Sequence, residues 1–146
     1  MAFFSQFVKQ AEMDYKVDHI GIAVTSLKTS IPLYERLLGE PCYKTEQVAS
    51  EAVDTAFFLQ NGAKIELVAS TDPDGVIAKF IGKKGEGLHH IAFEVPDILA
   101  EMERLKKDGF TLLNEAPKLG ADNKWVCFVH PKDANGVLIE LCQTKK

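Results

Sequence analysis

The sequence predicts an α+β fold: two tandem βαβββ modules whose strands join into one curved mixed sheet, a cup around a metal site. Three observations predict it. Residues 18–24, Asp-His-Ile-Gly-Ile-Ala-Val, recur in outline as residues 89–95, His-His-Ile-Ala-Phe-Glu-Val. Each block leads into a stretch with helical spacing. Each half then carries an apolar strand with a central glutamate, Lys64-Ile65-Glu66-Leu67-Val68 and Val137-Leu138-Ile139-Glu140-Leu141. The offset is 71 residues from His19 to His90 and 74 from Glu66 to Glu140. A period of that size marks two copies of one supersecondary unit.

The elements follow in order. Residues 1–15 stand outside the repeat as an N-terminal arm, and residues 16–146 form a single domain. Module 1 covers about 16–71, a connector 72–87 and module 2 88–146. Ile20, Ile22 and Val24 alternate with His19, Gly21 and Ala23, the pattern of a strand. Thr25 or Ser26 caps a helix in which Leu33, Tyr34, Leu37 and Leu38 share a face, and Gly39 closes it. Pro32 belongs in that helix's first turn or at a bend. A strand near Tyr43–Val48 precedes a hairpin turning at Asn61-Gly62. With those two as turn residues, Phe57 faces Glu66, and alternation puts Val53, Thr55 and Phe57 on Glu66's face of the sheet, with Asp54 on the other. Residues 72–84 read as a helical connector, ending at a hinge, Gly85-Glu86-Gly87. In module 2, Asp97 caps a helix carrying Ile98, Met102 and Leu105, with Gly109 as its stop. Strands are expected at 88–95, Phe110–Leu113, Trp125–Val129 and Val137–Cys142.

Composition narrows the function classes. An apolar fraction of 46% with 26% charged residues suits a soluble globular chain. A net charge of −4 without a basic stripe gives no nucleic-acid footprint. Nothing approaches the ~18 consecutive apolar residues of a membrane span. The three cysteines, Cys42, Cys127 and Cys142, are too few and too scattered for a disulfide framework, so a reduced, cytoplasmic setting is expected.

A histidine in an apolar strand is, taken alone, more often a satisfied core residue than a ligand. A glutamate in mid-strand can equally sit on a solvated edge. The recurrence of both changes the balance. A buried carboxylate without a partner is very costly, and one divalent cation can neutralise two. Two imidazoles and two carboxylates suit a borderline ion such as Co, Mn, Ni or Zn. His89 is expected to alternate to the face opposite His90.

These stretches resemble the vicinal-oxygen-chelate superfamily, and within it the methylmalonyl-CoA epimerase family. The resemblance rests on Asp18 to Val24, on Pro32-Leu33-Tyr34 running to Leu38-Gly39, and on Lys64 to Leu67. It continues through Gly87-Leu88-His89-His90-Ile91-Ala92-Phe93, then His130-Pro131-Lys132 and Gly136 to Leu141, spanning about residues 17–143. It implies one divalent metal ion per chain on His19, Glu66, His90 and Glu140, an acyl-CoA substrate, a homodimer and a role in propionate metabolism. It also implies inversion at C2 of methylmalonyl-CoA through an enolate, with two proton carriers. Glu140 is one. A bacterial member of the family carries a free glutamate as the other, at a position that is Thr55 here, and threonine is no useful base. Glu66 is favoured as the second carrier, with Glu51 or a water as alternatives. Lys118, Leu119 and Gly120 are candidates for the coenzyme A tail, with Lys83, Lys84, Lys124 and Lys132 as further lysines near phosphates. Trp125 is expected in the core or at its rim. Two rival readings use the same cup: a lactoylglutathione lyase (glyoxalase I)-like isomerase, and a metal-free small-molecule-binding protein.

Overall fold

The computed structural model describes residues 14–146, so the expected N-terminal arm lies almost wholly outside the described residues. Eleven elements follow in chain order. They are β1 (Lys16–Ala23), α1 (Leu27–Leu38), β2 (Lys44–Val48), β3 (Val53–Gln60), β4 (Ala63–Ser70), α2 (Val76–Lys84), β5 (Gly87–Glu94), α3 (Ile98–Lys107), β6 (Lys118–Leu119), β7 (Lys124–Val129) and β8 (Leu138–Thr144). All eight strands join one sheet in the order β2-β3-β4-β1-β5-β8-β7-β6. Each module's first strand runs parallel to its last, β1 to β4 and β5 to β8, and the modules meet where β1 and β5 pair antiparallel. Reading the order from either edge gives the same sequence of elements, so an approximate two-fold axis lies between β1 and β5.

The hairpin parity expected from Asn61-Gly62 holds residue for residue. Gln60 pairs with Ala63 and Phe57 with Glu66. Asn61 and Gly62 both have positive φ, 54° and 90°, as a type I′ turn demands. Helices α1 and α3 cover the outer face. Ser26 caps α1, its hydroxyl accepting from the Thr29 amide at 3.3 Å, and Gly39 ends it at φ 68°. The inward stripe of α1 is the half-buried Leu27, Ile31, Tyr34 and Leu38, packed against the buried Ala56, Phe58, Leu67 and Ala69. Leu33 and Leu37 are instead 48% and 70% exposed, since they fall one residue beside that stripe. Pro32 lies beyond the first turn; it and Lys28, whose carbonyl it leaves unpaired, both face solvent. In α3, Asp97 accepts from the Ala100 amide at 3.1 Å. Ile98, Met102 and Leu105 then pack on Val95, Cys127, Val129 and Leu141.

Two departures from expectation shape the second module. Phe110–Leu113 is not a strand but makes one bridge, Leu112 to Val129. The Asn114 side chain takes the Phe128 amide at 3.0 Å, so the ladder stops there. The sixth strand is the two-residue Lys118–Leu119, paired with Trp125 and Val126. The connector helix α2 closes one end of the cup by laying Ile77 on Ala23, Val53 and Val68. Its end at Gly85-Glu86-Gly87 is tied down, because the Glu86 carboxylate accepts the Thr25 amide at 2.7 Å.

The start of β1 is fastened to α3 by a buried acid. Glu101 is fully buried, and its Oε1 accepts the Tyr15 hydroxyl at 2.5 Å and Arg104 Nε at 3.0 Å. Burial and the adjoining Glu101 push the Tyr15 phenol up to about 12. Removing one donor from a buried charged acceptor costs about 1–3 kcal/mol. Tyr15→Phe is therefore expected to lower unfolding free energy by about that amount in urea titrations, with Glu101→Ala costing at least as much.

Candidate metal centre at the junction of the modules

Four buried polar side chains meet where the two modules join. His19 Nε2 lies 3.0 Å from His90 Nε2. Glu66 Oε1 approaches those nitrogens at 3.3 and 3.4 Å, and the Glu140 carboxylate at 3.7 and 3.5 Å. One donor atom each from His19, His90 and Glu140 lies within 4.8 Å of the others. All four residues are at most 6% exposed, and among the described residues no lysine or arginine pairs with either glutamate.

Two irregularities in the β1–β5 ladder orient the imidazoles. The register shifts between Val17 and His19, and again between Gly21 and Ile22. The first shift leaves Asp18 as the extra residue on β1; the second leaves His89 as the extra residue on β5. A bulge of this kind breaks strict alternation. Both bulged side chains turn onto the histidine that follows them. Asp18 Oδ2 sits 2.7 Å from His19 Nδ1, and His89 Nδ1 sits 2.9 Å from His90 Nδ1. His89 thus stands beside His90 and lines the same cavity, contrary to the expected opposite face.

Small residues make room for the rings. His19 stands across from Ala92 and His90 across from Gly21. A Cβ on Gly21 would lie 2.0–2.5 Å from three atoms of the His90 ring, so glycine there is a condition of the site.

Charge is arranged in layers. Burial opposes charge on Asp18, yet the His19 bond and the cations of Lys64 and Lys124 hold its carboxyl well below the usual range. Lys64 Nζ in turn bonds Asp122 Oδ2 at 2.7 Å, and Lys44 Nζ bonds Asp122 Oδ1 at 2.8 Å. Burial also opposes charge on His19, but the Asp18 bond and the Glu140 and Glu66 carboxylates lift its pKa to about 9. Burial raises Glu140; it opposes charge on Glu66 too, but the bond to His90 and the charge of His19 draw Glu66 down. Burial and His90 lower His89 to about 4. A proton on His19 therefore occupies the place of a cation among carboxylates.

The residues fit a divalent ion. Two imidazoles and a carboxylate are the donor set of borderline metals, and metal–nitrogen bonds of about 2.1 Å set neighbouring donors roughly 3.0–3.4 Å apart. Asp18 and His89 take the far ring nitrogens, as outer partners of metal-bound histidines do.

Above the cluster is a cavity of about 290 Å³. Val53, Thr55, Phe57, Val68 and Ile77 line one part, and Asn114, Lys118, Gly120, Asp122 and Phe128 another. Of the candidates for the coenzyme A tail, Lys118 and Gly120 line it and Leu119 does not. Glu51 lines it too, bonded to Lys118 Nζ at 2.8 Å. Thr55 is spent on a bond to the Glu46 carbonyl at 2.9 Å. Lys124 is no phosphate ligand: it is 6% exposed and holds Glu94, Thr144 and Asp18. Lys83, Lys84 and Lys132 are exposed and away from the cavity lining. Trp125 packs at the rim of the α3 core, beneath Lys145. Sequence reasoning missed Asp18, Gly21 and Asp122. The small residue two places after each histidine, Gly21 and Ala92, was the available signal.

Because His19 holds a proton below about pH 9, an ion must displace it. Calorimetry in buffers of differing ionisation enthalpy should find close to one proton released per ion at pH 7. Apparent affinity should rise about tenfold per pH unit and level off above about pH 9; uptake without proton release would contradict this. Gly21→Ala should displace the His90 ring and weaken metal binding by about 100-fold or more, at the upper end of losses from disturbed outer partners.

Comparison with known proteins places this site in context. Residues 18–128 match the Glyoxalase/Bleomycin resistance protein/Dioxygenase superfamily. The chain is 38% identical to the ethylmalonyl-CoA/methylmalonyl-CoA epimerase of Cereibacter sphaeroides, over 88% of this chain and 97% of that protein. It superposes on methylmalonyl-CoA epimerase from Mycobacterium tuberculosis with a TM-score of 0.84 at 37% identity, covering 89% of this chain and 88% of that one. It likewise matches a variant methylmalonyl-CoA epimerase of Streptomyces coelicolor solved in complex with 2-nitronate-propionyl-CoA. That match has a TM-score of 0.83 at 31% identity, covering 90% and 98% of the two chains. The chain belongs to the glyoxalase/bleomycin resistance protein/dioxygenase superfamily, among relatives that include the methylmalonyl-CoA epimerases.

Proposed function

We propose that this chain inverts C2 of methylmalonyl-CoA, removing the C2 proton from one face and returning it to the other. The observation that carries the reading is the convergence of His19, His90, Glu66 and Glu140, all buried, at the base of a largely apolar cavity. The reaction asks a carbon acid to ionise near neutral pH, with charge developing on the thioester oxygen. His19, His90 and Glu140 are the proposed donors to one divalent ion, Co, Mn, Ni or Zn, with Glu66 completing the set. When bound, such an ion supplies Lewis-acid stabilisation of oxygen charge.

The protein's own side chains divide the remaining work. Inversion needs a proton carrier on each face of the planar enolate. Glu140 is proposed for one face; burial raises its affinity for a proton. Glu66 is proposed for the other, and Glu51, on the turn before β3, is the competing choice. Val53, Phe57, Val68 and Ile77 line the cavity with hydrocarbon and exclude water from the reacting carbon. Lys118 and Gly120 are proposed to meet the coenzyme A portion where the cavity opens. The three free cysteines support a reducing, cytoplasmic setting, and a homodimer is proposed on the family resemblance alone.

The test is incubation of one C2 epimer of methylmalonyl-CoA with metal-loaded protein in D2O. Deuterium at C2 with loss of stereochemical purity is expected, and no exchange would reject the function. Glu140→Gln should lower the rate by about 10²–10⁴-fold, the usual worth of a positioned acid–base group. Glu66→Gln should exchange the C2 proton of one epimer without inverting it. If Glu51→Gln does so and Glu66→Gln does not, the second carrier is Glu51.

A further inference from the structure

We propose that His89 is a positioning residue that holds His90 in the tautomer needed to present its Nε2 lone pair, the counterpart in module 2 of Asp18 in module 1. The inference rests on His90 serving as a metal donor. The two bulges occur at matching places in the modules, each one residue before the donor histidine, and each gives its extra side chain to that histidine's Nδ1. The chemistry of the two partners differs. A carboxylate can only accept, so Asp18 fixes the proton of His19 on Nδ1 without ambiguity. An imidazole can donate or accept, so the direction at His89 follows from its surroundings. For His90 Nε2 to offer a lone pair, the His90 proton must sit on Nδ1. His89 Nδ1, 2.9 Å away, then accepts it, and the proton of His89 is on its own Nε2.

The packing keeps that arrangement in place. Phe80 of α2 meets the His89 ring edge to face, with centroids 4.8 Å apart. His90 is confined on its other side by Gly21, where no Cβ can fit. Without an ion, His19 Nε2 faces His90 Nε2 at 3.0 Å, and a proton donated from His19 needs the same His90 tautomer. Asp18, His19, His90 and His89 thus form one chain of bonds that diverges from His19, which donates to Asp18 from one ring nitrogen and to His90 from the other, with His90 donating on to His89. Its end at module 1 is charged and its end at module 2 neutral.

The test uses His89→Ala and His89→Asn, because Asn Oδ1 lies as many bonds from the backbone as His Nδ1 and can only accept when facing an N–H. In ¹⁵N-resolved spectra of the metal-free protein, His90 should carry its proton on Nδ1 in the wild type and in His89→Asn, and should be a tautomer mixture in His89→Ala. Calorimetric titration with Co²⁺ should show a loss of about 10–100-fold in His89→Ala, the range for outer partners of metal-bound histidine, with His89→Asn near wild type. A purely structural role for His89 would lower both variants' melting temperatures without moving the tautomer. A wild-type His90 protonated on Nε2, or equal Co²⁺ affinity in wild type and His89→Ala, would overturn the inference while the metal reading stood. Failure of the wild type to take up Co²⁺ would end the metal reading and this inference together.

Discussion

The rest of this structure serves one electrostatic constraint. Two carboxylates and two imidazoles are withdrawn from water into the middle of an apolar sheet, where only a cation among them can make the arrangement tolerable. Burial opposes charge on His19, but Asp18 and the two glutamates outweigh it and raise its affinity for a proton, the simplest cation that can serve there. The superfamily architecture permits the meeting because the approximate two-fold axis runs between β1 and β5. Each module supplies one histidine from its first strand and one glutamate from its last, and the axis brings all four together.

Symmetry builds the cluster, and local irregularity tunes it. Strict alternation would leave Asp18 and His89 on the outer face; a one-residue bulge before each donor histidine brings them back beside it. Alternation also sets each ring against the opposite strand, where Ala92 and Gly21 leave space. The modules then diverge. Asp18, the outer partner in module 1, is flanked by Lys64 and by Lys124 of module 2, and Lys64 carries the network across to Asp122 on the far edge of the cup. His89, the outer partner in module 2, meets the Phe80 ring of the connector helix instead. The difference places negative charge behind His19 and none behind His90, so a symmetric scaffold yields an asymmetric site, as a reaction with distinct substrate faces requires.

What could be read from the sequence followed local rules. The Asn61-Gly62 turn fixes register by itself, so parity put Thr55, Phe57 and Glu66 on one face correctly. Ser26 and Asp97 cap helices because their side chains satisfy amides one turn ahead. The departures came from interactions with partners distant along the chain. His89 was set on the wrong face because a bulge depends on the pairing strand. Lys124 resembled a surface lysine until Asp18 and Glu94 surrounded it. The inward stripe of α1 began at Leu27 and Ile31 rather than Leu33 and Leu37, a rotation decided by what the sheet offered. Asn114 ended the expected strand at Leu113 by capturing an amide of β7. Thr55 was recognised as unable to act as a base, and the structure gives its hydroxyl a structural use at the Glu46 carbonyl.

The buried His–Glu cluster is proposed to hold a single ion. Anomalous diffraction at the metal edge from crystals grown with Co²⁺ tests it most directly. A single strong peak per chain is expected, bonded to His19 Nε2, His90 Nε2 and a Glu140 oxygen at about 2.0–2.2 Å, with Glu66 turned toward it. A cluster without a peak, or an ion bound elsewhere while His19 and His90 stay in mutual contact, would contradict it.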